Sequence, residues 1–145
     1  PGGCALEAAE RVAGADIDTL ESLLDKSLLR RRVVNGEPRF WMLETIREFA
    51  LEQLAAAGEA DAGRRLYADW FAELAESLDT ESRTGDQPAS LARLEDDYAN
   101  FRAAINGARE QRDGELLLRL VTALWPFWST RGYVGEGRRA LEDAF

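Results

Sequence analysis

The sequence predicts a mainly α-helical chain: a helix–helix–hairpin–helix unit followed by antiparallel helical hairpins. Three observations predict it. Apolar residues recur at three- and four-residue spacing through most of the 145 residues, the period of helices with one buried face. That period breaks once, around Asn35-Gly36, where two short runs flank a dipeptide suited to a tight hairpin. From residue 89 on, apolar helical blocks follow one another with only Asp113-Gly114 and Gly132 between them. A hydrophobic content of 46% supports a core, and the 31% of charged residues mix both signs, so the composition is not that of a disordered chain.

Residues 3–13 read as a short helix with Leu6, Ala9 and Val12 on one side, stopped by Gly14. Asp16 suits the N-cap of a second helix, whose Ile17, Leu20, Leu23, Leu24 and Leu28 form the face expected to be buried. Arg30-Arg31-Arg32-Val33-Val34 and Arg39-Phe40-Trp41-Met42 read as two strands joined through Asn35-Gly36-Glu37-Pro38. Pro38 puts the second strand at an edge or sits at its start. From Leu43 a third helix runs to Gly58, with Leu43, Ile46, Ala50, Leu51 and Leu54 as its apolar stripe.

Residues 59–79 predict a longer helix with Leu66, Tyr67, Trp70, Phe71, Leu74 and Leu78 inward, and residues 80–88 a polar loop. Residues 89–111 predict one continuous helix, with Leu91, Leu94, Tyr98, Phe101, Ile105 and Ala108 as its stripe. Residues 115–131 are apolar around much of the circumference, as in a helix buried on two sides. Pro126 should bend or limit it, Gly132 should close it, and Tyr133–Phe145 should begin another. The expected organisation is two parts, 1–57 and 58–145. An opening Pro1 in place of Met, with helical pattern at both ends, reads as a piece of a longer protein.

Composition removes several chemistries. There is no histidine, so no Ser-His-Asp or Cys-His machinery and no histidine-containing zinc site can be built. Cys4 has no partner for an intrachain disulfide, which suits a reducing, cytoplasmic setting. Lys26 is the one lysine and follows Asp25 within a helical pattern, not a glycine-rich phosphate loop. Asp96-Asp97 could in principle do acid–base work, but beside Glu95 on a helix they read as solvated surface. The expectation is a chain without a catalytic site or a metal. A net charge of −9 disfavours nucleic acid as a bulk electrostatic partner, and nothing in the sequence suits a membrane span.

Two stretches carry a family resemblance. The first is Leu24-Asp25-Lys26-Ser27-Leu28-Leu29, then the hairpin, then Phe40-Trp41-Met42-Leu43-Glu44-Thr45-Ile46-Arg47-Glu48-Phe49-Ala50. It resembles the winged-helix segment of bacterial STAND-type ATPases, among them the large LuxR-like and AfsR-like transcriptional regulators. The second, from Leu91 to Glu110 and from Leu117 to Phe145, resembles the start of the tetratricopeptide-like array that follows it there. Leu124 and Trp128 match the first helix of such a repeat, Gly132 its turn, and Gly137, Leu141 and Ala144 the small, large and small positions of the second. Trp125 departs from the pattern, since a small residue is expected there.

The resemblance implies a winged-helix domain over 1–57 and a tetratricopeptide-like region over 58–145. It implies a regulatory relay between an upstream nucleotide-binding domain, which would hold ATP or ADP, and further repeats that receive a protein or small-molecule inducer. No cofactor is implied for these residues themselves. Met42-Leu43-Glu44 aligns with the Met-His-Asp motif of related NB-ARC switches, where the histidine touches the nucleotide phosphate. Leu43 cannot hydrogen-bond phosphate, and Glu44 reads as helix-dipole complementarity, so nucleotide sensing at Leu43 and Glu44 is a degraded motif.

Two other readings compete with the relay. A DNA-binding winged helix would grip phosphates through Arg30, Arg31, Arg32 and Arg39. Against it, residues 1–57 hold seven basic and ten acidic side chains, a net −3, and the helix before the hairpin carries Asp16, Asp18, Glu21 and Asp25. The arginines then serve as strand-edge or interdomain contacts. A peptide-binding helical scaffold would use Trp125, Trp128 and Tyr133 as a partner groove, although aromatics at helical spacing are more often core.

Overall fold

A computed structural model describes residues 2–142. It is mainly helical, with a small three-stranded sheet near the start of the chain. Two compact units divide at Leu66 and Tyr67.

The first unit runs β1 (Cys4–Ala5), α1 (Leu6–Ala13), α2 (Ile17–Asp25), β2 (Arg30–Val34), β3 (Glu37–Trp41) and α3 (Glu44–Ala56). The Asn35-Gly36 turn forms as expected, with both residues at positive φ. All pairing is antiparallel, and the sheet order is β1-β3-β2. β3 is therefore central, and Pro38 sits near its start, opposite Val33 and beyond the β1 pairing. β1 is absent from the sequence reading, which had helix from residue 3. A two-residue strand has no period to read. Gly3 marks it instead: its φ is +74°, and a β-carbon there would stand 2.7 Å from the Phe40 carbonyl oxygen.

Asp16 caps α2, accepting from the Thr19 amide at 2.8 Å. The core of this unit gathers Ala9, Leu20, Leu29 and Phe40, with Leu6, Leu23 and Leu24 packed against it. Two leucine-face expectations fail: Ile17 and Leu28 are exposed. After Asp25 the helical phase is lost at Ser27, whose φ is +59°, so Leu29 turns inward in place of Leu28. In α3 the expected stripe also splits. Ile46, Ala50 and Leu54 are half-buried, in one line at four-residue spacing, while Leu51 lies about 100° round the axis from Ala50 and is exposed. Leu43 is the extended N-cap of α3 and is exposed too.

Helix α4 (Ala60–Thr84) outlasts its expected end at residue 79, replacing most of the expected polar loop. Its last turns satisfy their own polar groups: the hydroxyls of Thr80 and Thr84 donate to the carbonyls of Glu76 and Thr80, and Arg83 pairs with Asp79. The exposed Leu66 departs from the expected inward face, whereas Trp70, Phe71 and Leu78 are buried. α5 (Gln87–Asp96) starts at once, because Asp86 caps the Ala89 amide and Pro88 occupies the first turn, where its missing N–H costs nothing.

The expected single helix over 89–111 is two, α5 and α6 (Tyr98–Glu110), broken at Asp97. Asp97 is buried beside its own helix ends, accepting from Arg93 Nε at 3.3 Å and Asn100 Nδ2 at 2.9 Å. It is not the solvated carboxylate expected. α7 (Gly114–Arg131) runs through Pro126, which is exposed, and buries Leu116, Leu117, Leu120, Val121, Leu124, Phe127 and Trp128 among others. After Gly132, α8 (Val134–Glu142) returns along it, burying Gly137 and Ala140. The expected small position Ala144 and the last turns to Phe145 lie outside the described residues.

Candidate functional site

Three groups of residues carry the sequence expectations, and the fold treats each differently. On β2, Arg30, Arg31 and Arg32 are all exposed. Strand alternation divides them: Arg30 and Arg32 share a face with their partners Trp41 and Arg39, and Arg31 shares the other with Phe40. The Arg32 guanidinium lies 5.4 Å from the centre of the Trp41 ring, a cation–π contact that fixes one arginine of the wing. Arg39 does not belong with them. It is buried on the central strand and donates to the Gly3 carbonyl at 3.2 Å, so it ties β3 to the start of the chain.

At the start of α3, Leu43 supplies no side-chain cap. Glu44 is engaged by Arg47 one turn on, and that hydrogen bond holds its carboxyl below the usual carboxylate range. Neither side chain offers a donor to a phosphate. Around them Met42, Leu43, Phe49 and Leu51 leave large apolar side chains in solvent.

In the second unit, Trp125, Trp128 and Tyr133 do not form one groove. Trp128 is 1% exposed and belongs to the core, whereas Trp125 is 40% exposed. Tyr133 stacks on Tyr98 with ring centres 5.1 Å apart. Sequence reasoning missed the hub of this unit, the Tyr98 hydroxyl. It accepts from Trp128 Nε1 at 3.2 Å and donates to Glu136 Oε2 at 2.6 Å. Burial, and then this donation, raise the Tyr98 pKa well above the usual tyrosine value. Glu136 also pairs with Arg102 at 3.6 Å. Its signal in the sequence is weak, because Tyr98 lies within an apolar stripe and reads as packing alone.

Among the described residues no helix is long and apolar enough to cross a membrane. No family model matches the chain. No solved structure matches it either. Curated relatives do. The chain is 38% identical over 143 residues to "Putative HTH-type transcriptional regulator Rv0890c" of Mycobacterium tuberculosis, and to the same degree to "Putative HTH-type transcriptional regulator Mb0914c" of Mycobacterium bovis. Each match covers 94% of this chain and 16% of the relative, so the chain spans about a sixth of their length.

Proposed function

We propose that the chain is a segment of an HTH-type transcriptional regulator, acting in the cytoplasm, and that residues 2–57 are a winged-helix module within it. The observation that carries this is topological. Two short helices joined across Gly14–Asp16 are followed by a β2–β3 hairpin, and β1 pairs outside β3 in the order β1-β3-β2. In that reading α1 and α2 are the helix-turn-helix pair and β2–β3 the wing. The names of the relatives support it independently.

Those names support DNA binding more directly than the relay. In this chain the wing would make the contact, through Arg30, Arg31 and Arg32, because α2 is acidic and would face phosphate poorly. The test is fluorescence anisotropy with duplex DNA over a range of salt. Binding should weaken in the triple variant Arg30→Gln, Arg31→Gln, Arg32→Gln, and its log–log salt slope should fall by roughly 2, since Arg31 lies on the opposite face of β2 from Arg30 and Arg32. No measurable DNA binding by the unsubstituted chain overturns this reading.

A second reading, the relay, is favoured by the apolar side chains that α3 and the residues before it leave exposed: Met42, Leu43, Phe49 and Leu51. It makes the unit a docking element for a nucleotide-binding domain elsewhere in the regulator. That domain would hold ATP or ADP, and tetratricopeptide-like repeats beginning in α7 and α8 would receive the inducer. In neither reading do these residues catalyse a reaction. Replacing Phe49 and Leu51 by Ser in the whole regulator should change transcriptional output while leaving DNA affinity unchanged. Unchanged output removes the relay.

A further inference from the structure

We propose that the free edge of β2 accepts an extended acidic segment of polypeptide as a fourth strand of the small sheet. The inference goes beyond both readings of the first unit and needs neither. Among the described residues, the order β1-β3-β2 leaves β2 paired on one side only. The two-residue Asn35-Gly36 turn makes Val34 and Glu37 the first hydrogen-bonded pair of the hairpin. Alternation then gives the same role to Arg32 with Arg39 and to Arg30 with Trp41. Arg31 and Val33 occupy the intervening positions, so their N–H and C=O groups point away from β3. Pro38, which has no N–H, stands opposite Val33, where the β2–β3 ladder needs none. Arg31 and Val33 are exposed, Val33 at 69%, and their outward groups form a short template for another strand.

The arginines decide that strand's chemistry. Arg30, Arg31 and Arg32 are consecutive and exposed, and among the described residues no carboxylate pairs with any of them. The contact of Arg32 with Trp41 neutralises none of its charge. A second copy of the chain suits this edge poorly, because pairing β2 with β2 brings two arginine triplets together. A duplex laid on one face meets Arg30 and Arg32, with Arg31 on the other. An added strand alternates as β2 does, so carboxylates at three successive positions reach all three arginines. Opposite the exposed Val33 the fit is a β-branched apolar residue. An antiparallel partner therefore reads, from its N-terminus, one β-branched residue and then three acidic ones.

The test is an NMR titration of the full chain with the peptide acetyl-Thr-Val-Glu-Glu-Glu-Thr-amide. Saturable binding with a dissociation constant in the millimolar range is expected. At ten times that concentration, exchange of the Arg31 and Val33 amides with water should slow about tenfold, while the Arg30 and Arg32 amides, already bonded to β3, change little. A peptide N-methylated at its valine and second glutamate keeps every charge but loses the two N–H groups that face β2. It should bind at least about fivefold more weakly. The same peptide with lysine for glutamate should not saturate the edge. Arg30→Gln combined with Arg31→Gln should weaken binding by about threefold to tenfold, with the circular dichroism unchanged. Duplex DNA is the comparison: it engages arginine side chains and should leave the Arg31 and Val33 amides exchanging as before. A chain that binds the peptide but not DNA upholds this inference and removes the DNA reading alone. The proposal is overturned if no peptide shift saturates, if the Arg31 and Val33 amides gain no protection, or if duplex DNA protects them equally. It is also overturned if the N-methylated or the lysine peptide binds as well, or if the double variant binds unchanged.

Discussion

A β-carbon on Gly137 would stand 2.5 Å from Cε3 of Trp128, inside any contact that carbon atoms tolerate. The same β-carbon would lie 3.2 Å from Cζ3 of Trp125, so two indoles close over this glycine, whereas a β-carbon on Gly135 of the same helix would meet nothing within 4 Å. The large ring on α7 and the absent side chain on α8 are complementary, and their fit sets how near the two helices approach. Gly137→Ala should gain helix propensity of about 1 kcal/mol. Overpacking against a buried ring costs about 1–3 kcal/mol and should win, because Trp128 is held by its bond to Tyr98 and cannot swing away. A lower thermal midpoint, followed by circular dichroism, is the expected result.

The matching control is Gly107, inside α6, where a β-carbon would meet nothing within 4 Å. Gly107→Ala should stabilise the chain by about 0.5–1 kcal/mol, because only backbone freedom in the unfolded chain changes. Chemical denaturation of the two variants side by side should move their midpoints in opposite directions. If both move the same way, glycine's conformational freedom and not the fit against Trp128 governs position 137.

The same contrast shows which parts of the fold were legible in the sequence. Short-range chemistry was: Asn35-Gly36 made its turn and Asp16 its cap, since each depends only on neighbours within four residues. Long-range partners were not. β1 depends on Phe40 and Arg39, more than thirty residues away, and carries no period of its own. The break at Asp97 was invisible because the three- and four-residue spacing of Leu94, Phe101, Ile105 and Ala108 continues across it. At the candidate site, residue type suggests arginines and aromatics, but only the strand order, which puts Arg39 on central β3 beside β1 and Arg31 on edge strand β2, separates buried Arg39 from exposed Arg31. Likewise only packing could separate Trp128 from Trp125.

Helices α4 and α7 are joined by a two-pronged ion pair, Arg119 Nε and Nη2 to Glu76 Oε1 and Oε2 at 2.8 and 3.0 Å. The hydrogen bond from Arg119 lowers the Glu76 pKa below its ordinary 4.5. A carboxyl lowered on folding contributes stability above its unfolded pKa and loses it as pH falls through the folded value. Both side chains remain over a third exposed, so solvent screening limits the pair to about 0.5–1 kcal/mol. A double-mutant cycle with Glu76→Gln and Arg119→Met should return that coupling at neutral pH. It should vanish well below pH 4, and a coupling that persists there contradicts the assignment to the charged pair.

Tyr98 makes the converse prediction on the alkaline side. Its hydroxyl is the acceptor for a buried Trp128 N–H and a donor to Glu136, so Tyr98→Phe strands the indole nitrogen and leaves Glu136 one bond short. Loss of a buried donor's partner costs about 1–3 kcal/mol, and the urea midpoint at neutral pH should fall accordingly. The pH dependence has a definite sign. Folding raises the Tyr98 pKa, through burial first and then the bond to Glu136, so the neutral phenol is the form the fold favours. The stability this contributes is complete below the unfolded value of about 10 and declines as pH rises above it. Absorbance titration near 295 nm should show one of the three tyrosines ionising late, together with loss of helix. In Tyr98→Phe that late step should disappear. A late step that survives the substitution belongs to another tyrosine and refutes the hub role of this hydroxyl.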